Sequence, residues 1–167
     1  MTDDDTRAGF RIRPATPADT SAVDQLLGHS YPKLLRPDYP PSTLVLALPG
    51  MTKARPSLLA SGTYYVAEGQ NGQLLGAGGW TRNARRGRGD IRHVVTDPRA
   101  LRQGIGRALM QHSFAVAKAS GVFELECWAT RTAVPVYKAV GFEVLGPMEV
   151  TLSTGVAFPA IRMERGL

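Results

Sequence analysis

Two close-set glycines, in Arg102-Gln103-Gly104-Ile105-Gly106-Arg107, lie between a strand-like and a helix-like segment and set what this chain can fold into. Upstream, Gly89 to Thr96 alternates as a strand, with Ile91, His93 and Val95 on one face and Arg92 and Val94 on the other; Asp97-Pro98 stops it. Downstream, Ile105, Ala108, Leu109, His112, Ala115, Val116 and Ala119 recur at helical spacing up to Gly121. The unit is therefore strand, glycine loop, helix. Glycine allows a tight turn and a close backbone approach to a ligand. The first amides of a helix lack internal partners and carry partial positive charge. With Arg99, Arg102 and Arg107 beside them, they form an anion site suited to a phosphate or pyrophosphate.

The 167 residues suit one domain with a real core, over 9–167, behind a polar, acidic tail at 1–8 that is expected to fray. That tail has neither signal-peptide nor transit-peptide character, and no apolar run reaches the length of a membrane span. Cys127 is the single cysteine, which excludes an internal disulfide and a cysteine-built zinc site and fits a cytoplasmic setting. The net charge of +6 fits either a nucleic-acid surface or a site for a phosphate-rich cofactor. The arginines cluster at the glycine loop and in Arg82 to Arg88, without interleaved aromatics to stack bases, which favours the cofactor.

Phe10 to Arg13 reads as a first strand, and Thr16-Pro17 as a helix start whose stripe of Val23, Leu26 and Leu27 weakens at Gly28. Pro32 to Pro41 reads as a connection over the core. Thr43 to Leu48 and Ser57 to Ala60 read as short helical turns around a break at Pro49-Gly50, which suit either plain packing or the cover of a substrate. Thr63 to Glu68 and Leu74 to Trp80 form a hairpin around Asn71-Gly72, with Gly76, Gly78 and Gly79 lowering the bulk of its second strand. Phe123 to Trp128 is a strand parallel to the Ile91 strand if the crossover between them is right-handed. Thr132 suits the cap of a short helix through Ala139 that ends at Gly141, and Phe142 to Val150 and Val156 to Met163 form a last pair of strands.

This order of elements, with two motifs, resembles the GCN5-related N-acetyltransferases, the GNAT superfamily, from about Phe10 onward. Leu101-Arg102-Gln103-Gly104-Ile105-Gly106 is similar to the family's Gln/Arg-x-x-Gly-x-Gly/Ala loop, with Leu101 in place of Gln or Arg. Ala133-Val134-Pro135-Val136-Tyr137-Lys138-Ala139-Val140-Gly141-Phe142 matches its Ala-x-x-x-Tyr-x-x-x-Gly-Phe pattern. The resemblance implies an α/β (α+β) fold. Its sheet is mixed and mostly antiparallel, of about six or seven strands with about four flanking helices, splayed between the fourth and fifth strands.

It also implies acetyl-coenzyme A as cosubstrate, no metal, and direct transfer of the acetyl group to a primary amine on a small molecule, an amino acid or a peptide. By the same resemblance, Val94, Val95 and Thr96 lend backbone groups to the pantetheine and thioester. Arg99 and Leu101, Arg102, Gln103, Gly104, Ile105, Gly106 and Arg107 hold the pyrophosphate, and Thr130 and Val136 lie along the cofactor, Thr130 where the family often has Asn. Tyr137 corresponds to the acid that protonates the departing thiolate. Asp90 is a candidate base and His93 a candidate base or water relay; Asp90 suits a turn cap equally well, and His93 a packed face. His112 reads as a core histidine, Glu124 and Glu126 as rim residues, and Cys127 as a buried thiol rather than an acetyl carrier. Trp80 and Trp128, with Tyr31, Tyr64 and Tyr65, suit either an acceptor wall or the core.

The alternative from another class is a non-catalytic coenzyme-A-sensing or nucleic-acid-binding protein on the same fold; Tyr137 and the complete glycine loop count against it. The last strands offer an edge at which a second copy could pair as a homodimer.

Overall fold

The computed structural model describes residues 5–7, 9–152 and 154–167. Eight strands make one sheet: β1 (Asp5–Arg7), β2 (Phe10–Pro14), β3 (Tyr64–Gly69), β4 (Leu74–Arg82), β5 (Arg88–Thr96), β6 (Glu124–Ala129), β7 (Glu143–Thr151) and β8 (Ala157–Gly166), in the order β1-β2-β3-β4-β5-β6-β8-β7. Among the described residues, only β5 and β6 pair in parallel. The mixed, mostly antiparallel sheet expected from the sequence is present, with one strand beyond the expected range. Of the tail expected to fray, residues 1–4 and 8 lie outside the described residues, whereas Asp5–Arg7 pairs antiparallel along β2, whose outer edge would otherwise lack a ladder partner.

Among the described residues, five α-helices flank the sheet: α1 (Thr20–Leu35), α2 (Pro41–Met51), α3 (Pro56–Leu59), α4 (Ile105–Ala119) and α5 (Val134–Ala139). Among the described residues, no helix is long and apolar enough to cross a membrane. β3 is buried on both faces, so its residues feed two cores. Tyr65 and Ala67 join Ile105, Leu109, Phe114 and Leu125 on the α4 side. Tyr64 and Val66 join Val23, Leu27, Leu35 and Leu59 on the side of α1 to α3.

Three local readings need correction. First, α1 does not weaken at Gly28 but continues through Pro32 to Leu35. Pro32 removes one helical bond, to the Gly28 carbonyl, and burial of Ser30, Tyr31 and Leu35 outweighs the loss. Likewise α2 runs through Pro49 to Met51. Second, the buried face of α4 is rotated from the expected one. Met110, Phe114 and Ala117 are buried, Ala115 and Ala119 are exposed, and His112 is half-buried, edge-on to the Tyr65 ring at 4.4 Å. The large Phe114 ring decides the rotation, and Ser113 enters the core by donating to the Leu109 carbonyl at 2.8 Å. Third, Thr130 rather than Thr132 caps the turn before α5, accepting from the Ala133 amide at 3.2 Å, while Thr132 donates to Asp38 at 2.7 Å.

The β4 glycines give the sheet its close packing. A Cβ at Gly79 would press into the Thr63 carbonyl and lie 2.6 Å from the Tyr64 Cα; one at Gly76 would lie 2.7 Å from Ile105 Cγ2; one at Gly78 would lie 2.9 Å from Val94 Cγ2. Gly79→Ala is expected to cost about 3 kcal/mol, because backbone rather than a flexible side chain must move. Chemical denaturation that shows a loss under about 0.5 kcal/mol would contradict this.

Candidate active site

The site is built where β5 leaves β6. The parallel ladder covers only Arg88 to Asp90, against Glu124 to Glu126; beyond it, β5 keeps its bonds to β4 and β6 pairs with β8. The strands therefore splay at the expected place, and the β5 edge from His93 to Thr96 has no strand beside it. A bulge re-aims that edge. Gly79 pairs with Arg92 and Ala77 with Val95, so His93 and Val94 together oppose Gly78. His93 takes φ 43°, and the buried Tyr64 hydroxyl donates to the His93 carbonyl at 3.1 Å, which holds the bulge in place.

The splay opens a cleft of about 350 Å³. Asp90, His93 and Val94 line it from β5; Glu126, Cys127 and Trp128 from β6; Thr130, Ala133 and Tyr137 from the α5 segment; and Gly50, Met51 and Arg55 from the α2–α3 connection. The three candidate proton carriers thus share one cleft; of the short helices expected to cover a substrate, only the end of α2, at Gly50 and Met51, lines it, and Thr43 to Leu48 and Ser57 to Ala60 do not. Tyr31 and Trp128 also line it. Trp80 and Tyr65 are instead core residues.

Tyr137 is held by Phe142, whose ring meets it edge-on at 5.3 Å and whose amide donates to its carbonyl at 3.1 Å. Tyr39 anchors the segment before α5: its hydroxyl donates to the Pro159 carbonyl at 2.7 Å and accepts from the Arg131 amide at 2.9 Å. Burial raises the Tyr137 phenol well above its ordinary pKa, so it stays protonated at neutral pH. Burial also pushes the Cys127 thiol up, which keeps it out of the thiolate form a nucleophile needs. His93 moves the other way. Burial, Arg55 and Arg92 lower its pKa to about 4, so its imidazole is neutral at pH 7. The Asp90 carboxylate accepts from Asn83 Nδ2 at 3.0 Å.

Beyond β5, Arg102 and Gly104 take the left-handed conformation, at φ 66° and 76°, on either side of Gln103. Gly104 begins α4 without a side-chain cap, and the first helical bond is Ala108 N–H to the Gly104 carbonyl at 2.9 Å. The Ile105, Gly106 and Arg107 amides are consequently open at a helix start. The Gly106 position lies close against β5, where a Cβ would be 3.4 Å from Thr96 Oγ1. This cradle fits a pyrophosphate through its backbone. The Ile105 side chain is buried in the core and that of Leu101 is exposed, so at both positions the backbone is what faces a ligand. Arg99 is paired with Asp97 at 2.9 Å and, with Gln103, lines a second, open hollow of about 450 Å³.

Arg55 and Arg92 were not singled out in the sequence, and Glu126 was read as a rim residue; all three line the cleft. The strand pattern placed Arg92 on a face, but only the fold shows that this face borders the cleft.

The model of the acetyltransferase (GNAT) domain matches residues 50–164, more than half of the chain. The chain belongs to the GNAT acetyltransferase family. This acetyltransferase is an acyl-transferring enzyme, with the fold of its solved relatives. A GCN5-related N-acetyltransferase from Rhodopseudomonas palustris superposes with TM-score 0.80 at 17% identity, covering 98% of this chain and 99% of that one. PaiA N-acetyltransferase from Thermoplasma acidophilum, in complex with coenzyme A, gives 0.73 at 14%, covering 95% and 99%. A phosphinothricin acetyltransferase from Sinorhizobium meliloti, in complex with acetyl-coenzyme A, gives 0.65 at 24%, covering 95% and 89%. No curated protein matches the acetyltransferase.

Proposed function

We propose that the protein moves the acetyl group of acetyl-coenzyme A directly to a primary amine. The observation that carries this reading is the shared cleft: Tyr137, Asp90 and His93 line one hollow that opens at the unpaired β5 edge. The cradle from Arg102 to Arg107 receives the pyrophosphate, and the His93 to Thr96 edge offers backbone groups to the pantetheine amides as a neighbouring strand would. Bound acetyl-coenzyme A supplies an activated acyl carbon.

Asp90 accepts the amine proton. His93, neutral at pH 7, can accept one hydrogen bond and donate another, and so relays that proton through water. Tyr137 gives its proton to the departing sulfur, and its raised pKa keeps that proton available. The buried, protonated Cys127 argues against an acetyl-cysteine route.

Release of coenzyme A thiol from acetyl-coenzyme A on addition of amines tests the reading. Turnover with at least one amine is expected. Tight coenzyme A binding without turnover across amine and peptide panels would refute it.

A further inference from the structure

Several arginines of this chain are satisfied by the protein itself, and others, such as Arg36, Arg85, Arg86, Arg102 and Arg107, are exposed outside the cleft. Arg13 pairs with Asp19 at 2.8 Å, Arg88 with Glu124 at 3.0 Å, Arg99 with Asp97 and Arg162 with Glu126. Arg82 and Arg165 donate to carbonyls, and Arg131 lies over the Tyr39 ring at 5.2 Å. The two that line the cleft differ. Arg92 uses Nε on the Thr81 hydroxyl at 2.9 Å, which leaves both terminal nitrogens without a protein acceptor among the described residues. The Arg55 side chain makes no hydrogen bond or ion pair among those residues. The cleft's own carboxylates cannot serve them readily: Glu126 is taken by Arg162, and Asp90 holds Asn83. Both guanidinium charges act on the His93 ring, so they bear on the same part of the cleft.

Two uncompensated guanidinium groups facing one hollow favour an anion, and their planar donor forks fit a carboxylate. The cleft volume lies near the lower end of small-molecule sites, and Met51, Leu152 and Phe158 add an apolar wall. We infer that the acceptor is a small amino carboxylate, an amino acid or close analogue, whose carboxylate is held by Arg55 and Arg92 while its amine faces Asp90 and His93. This deepens the amine-acetylating reading above and rests on it.

The test pairs kinetics with binding. Coenzyme A release is measured for a panel of α-amino acids and for their α-carboxamides, with the wild type, Arg55→Gln and Arg92→Gln. Comparing the variants' losses cancels the different intrinsic reactivity of the two amine series. Each substitution is expected to lower kcat/KM for the amino acids by about 10- to 100-fold more than for the carboxamides, mainly through KM. Equal losses in both series would overturn the inference and leave the N-acetyltransferase reading standing. Calorimetry of N-acetyl amino acids and their amides, titrated into the protein with coenzyme A, supplies a readout independent of turnover. The acids should bind about tenfold or more tightly in the wild type and lose that advantage in the variants. If no acceptor is turned over, the amine-acetylating reading fails, and the calorimetry alone decides the anion site: an acid preference abolished in the variants supports it, and equal binding of acids and amides overturns it.

Discussion

Tyr137→Phe is expected to lower kcat by about 100-fold or more while leaving the KM for acetyl-coenzyme A within about threefold. The substitution removes one hydroxyl from a buried ring. The edge-on contact with Phe142, the Phe142 amide bond and the path of α5 do not depend on that hydroxyl, so the fold should stand. On the proposed mechanism, what is lost is the donor of the proton to the departing sulfur. Because burial raises the Tyr137 pKa well above its ordinary value, wild-type kcat should not fall through tyrosine ionisation near pH 10, where an exposed phenol would titrate. Steady-state thiol release from pH 6 to 10 measures both effects. Equal kcat for the two proteins across that range would remove Tyr137 from the mechanism.

Acidification should cost the protein stability through His93. Its folded pKa of about 4 lies below the ordinary histidine value, so below about pH 6.5 the unfolded chain binds a proton that the folded chain refuses. The stabilisation is complete above that value and drains away as the pH falls toward 4. The difference in pKa corresponds to at most about 3 kcal/mol. Arg55 and Arg92 add to it, since each disfavours the imidazolium. His93→Gln keeps a polar side chain of similar size without the titration. In urea denaturation at pH 7 and pH 4.5, the wild type should lose about 2 kcal/mol more than the variant. Parallel losses would mean that the imidazole is not held neutral by its surroundings. Carboxylates such as Asp19 and Asp97, whose arginine partners hold their pKa low, also lose stability in acid, but they do so in both proteins and cancel in the comparison.

Much of the site could be read along the chain because its parts are local. The loop proposed to hold the pyrophosphate is one short segment: Gly104 supplies a left-handed residue, Asp97-Pro98 ends β5, and α4 begins at Ile105. The Tyr137 segment is equally compact, with Gly141 and Phe142 at fixed distances along the chain. Helix limits near proline were read less well. α1 and α2 both run through a proline, because burial of the surrounding face outweighs one missing bond. The rotation of α4 was hidden for a related reason: alanines count as apolar in a periodic pattern, but the larger Phe114 decides which way the helix faces.

By itself, the sequence determined the order of strands and helices from Phe10 onward, the glycine loop and the family, since each depends on residue types at short, fixed spacings. The tertiary structure alone decided which charges meet. Arg55 follows α2, Arg92 lies on β5, Glu126 on β6 and Tyr137 on α5, and the splay of β5 from β6 brings them to one cleft. It also decided which arginines are neutralised by carboxylates and which are left facing that cleft. Charge pairing depends on distances across the fold, and no spacing along the chain encodes them.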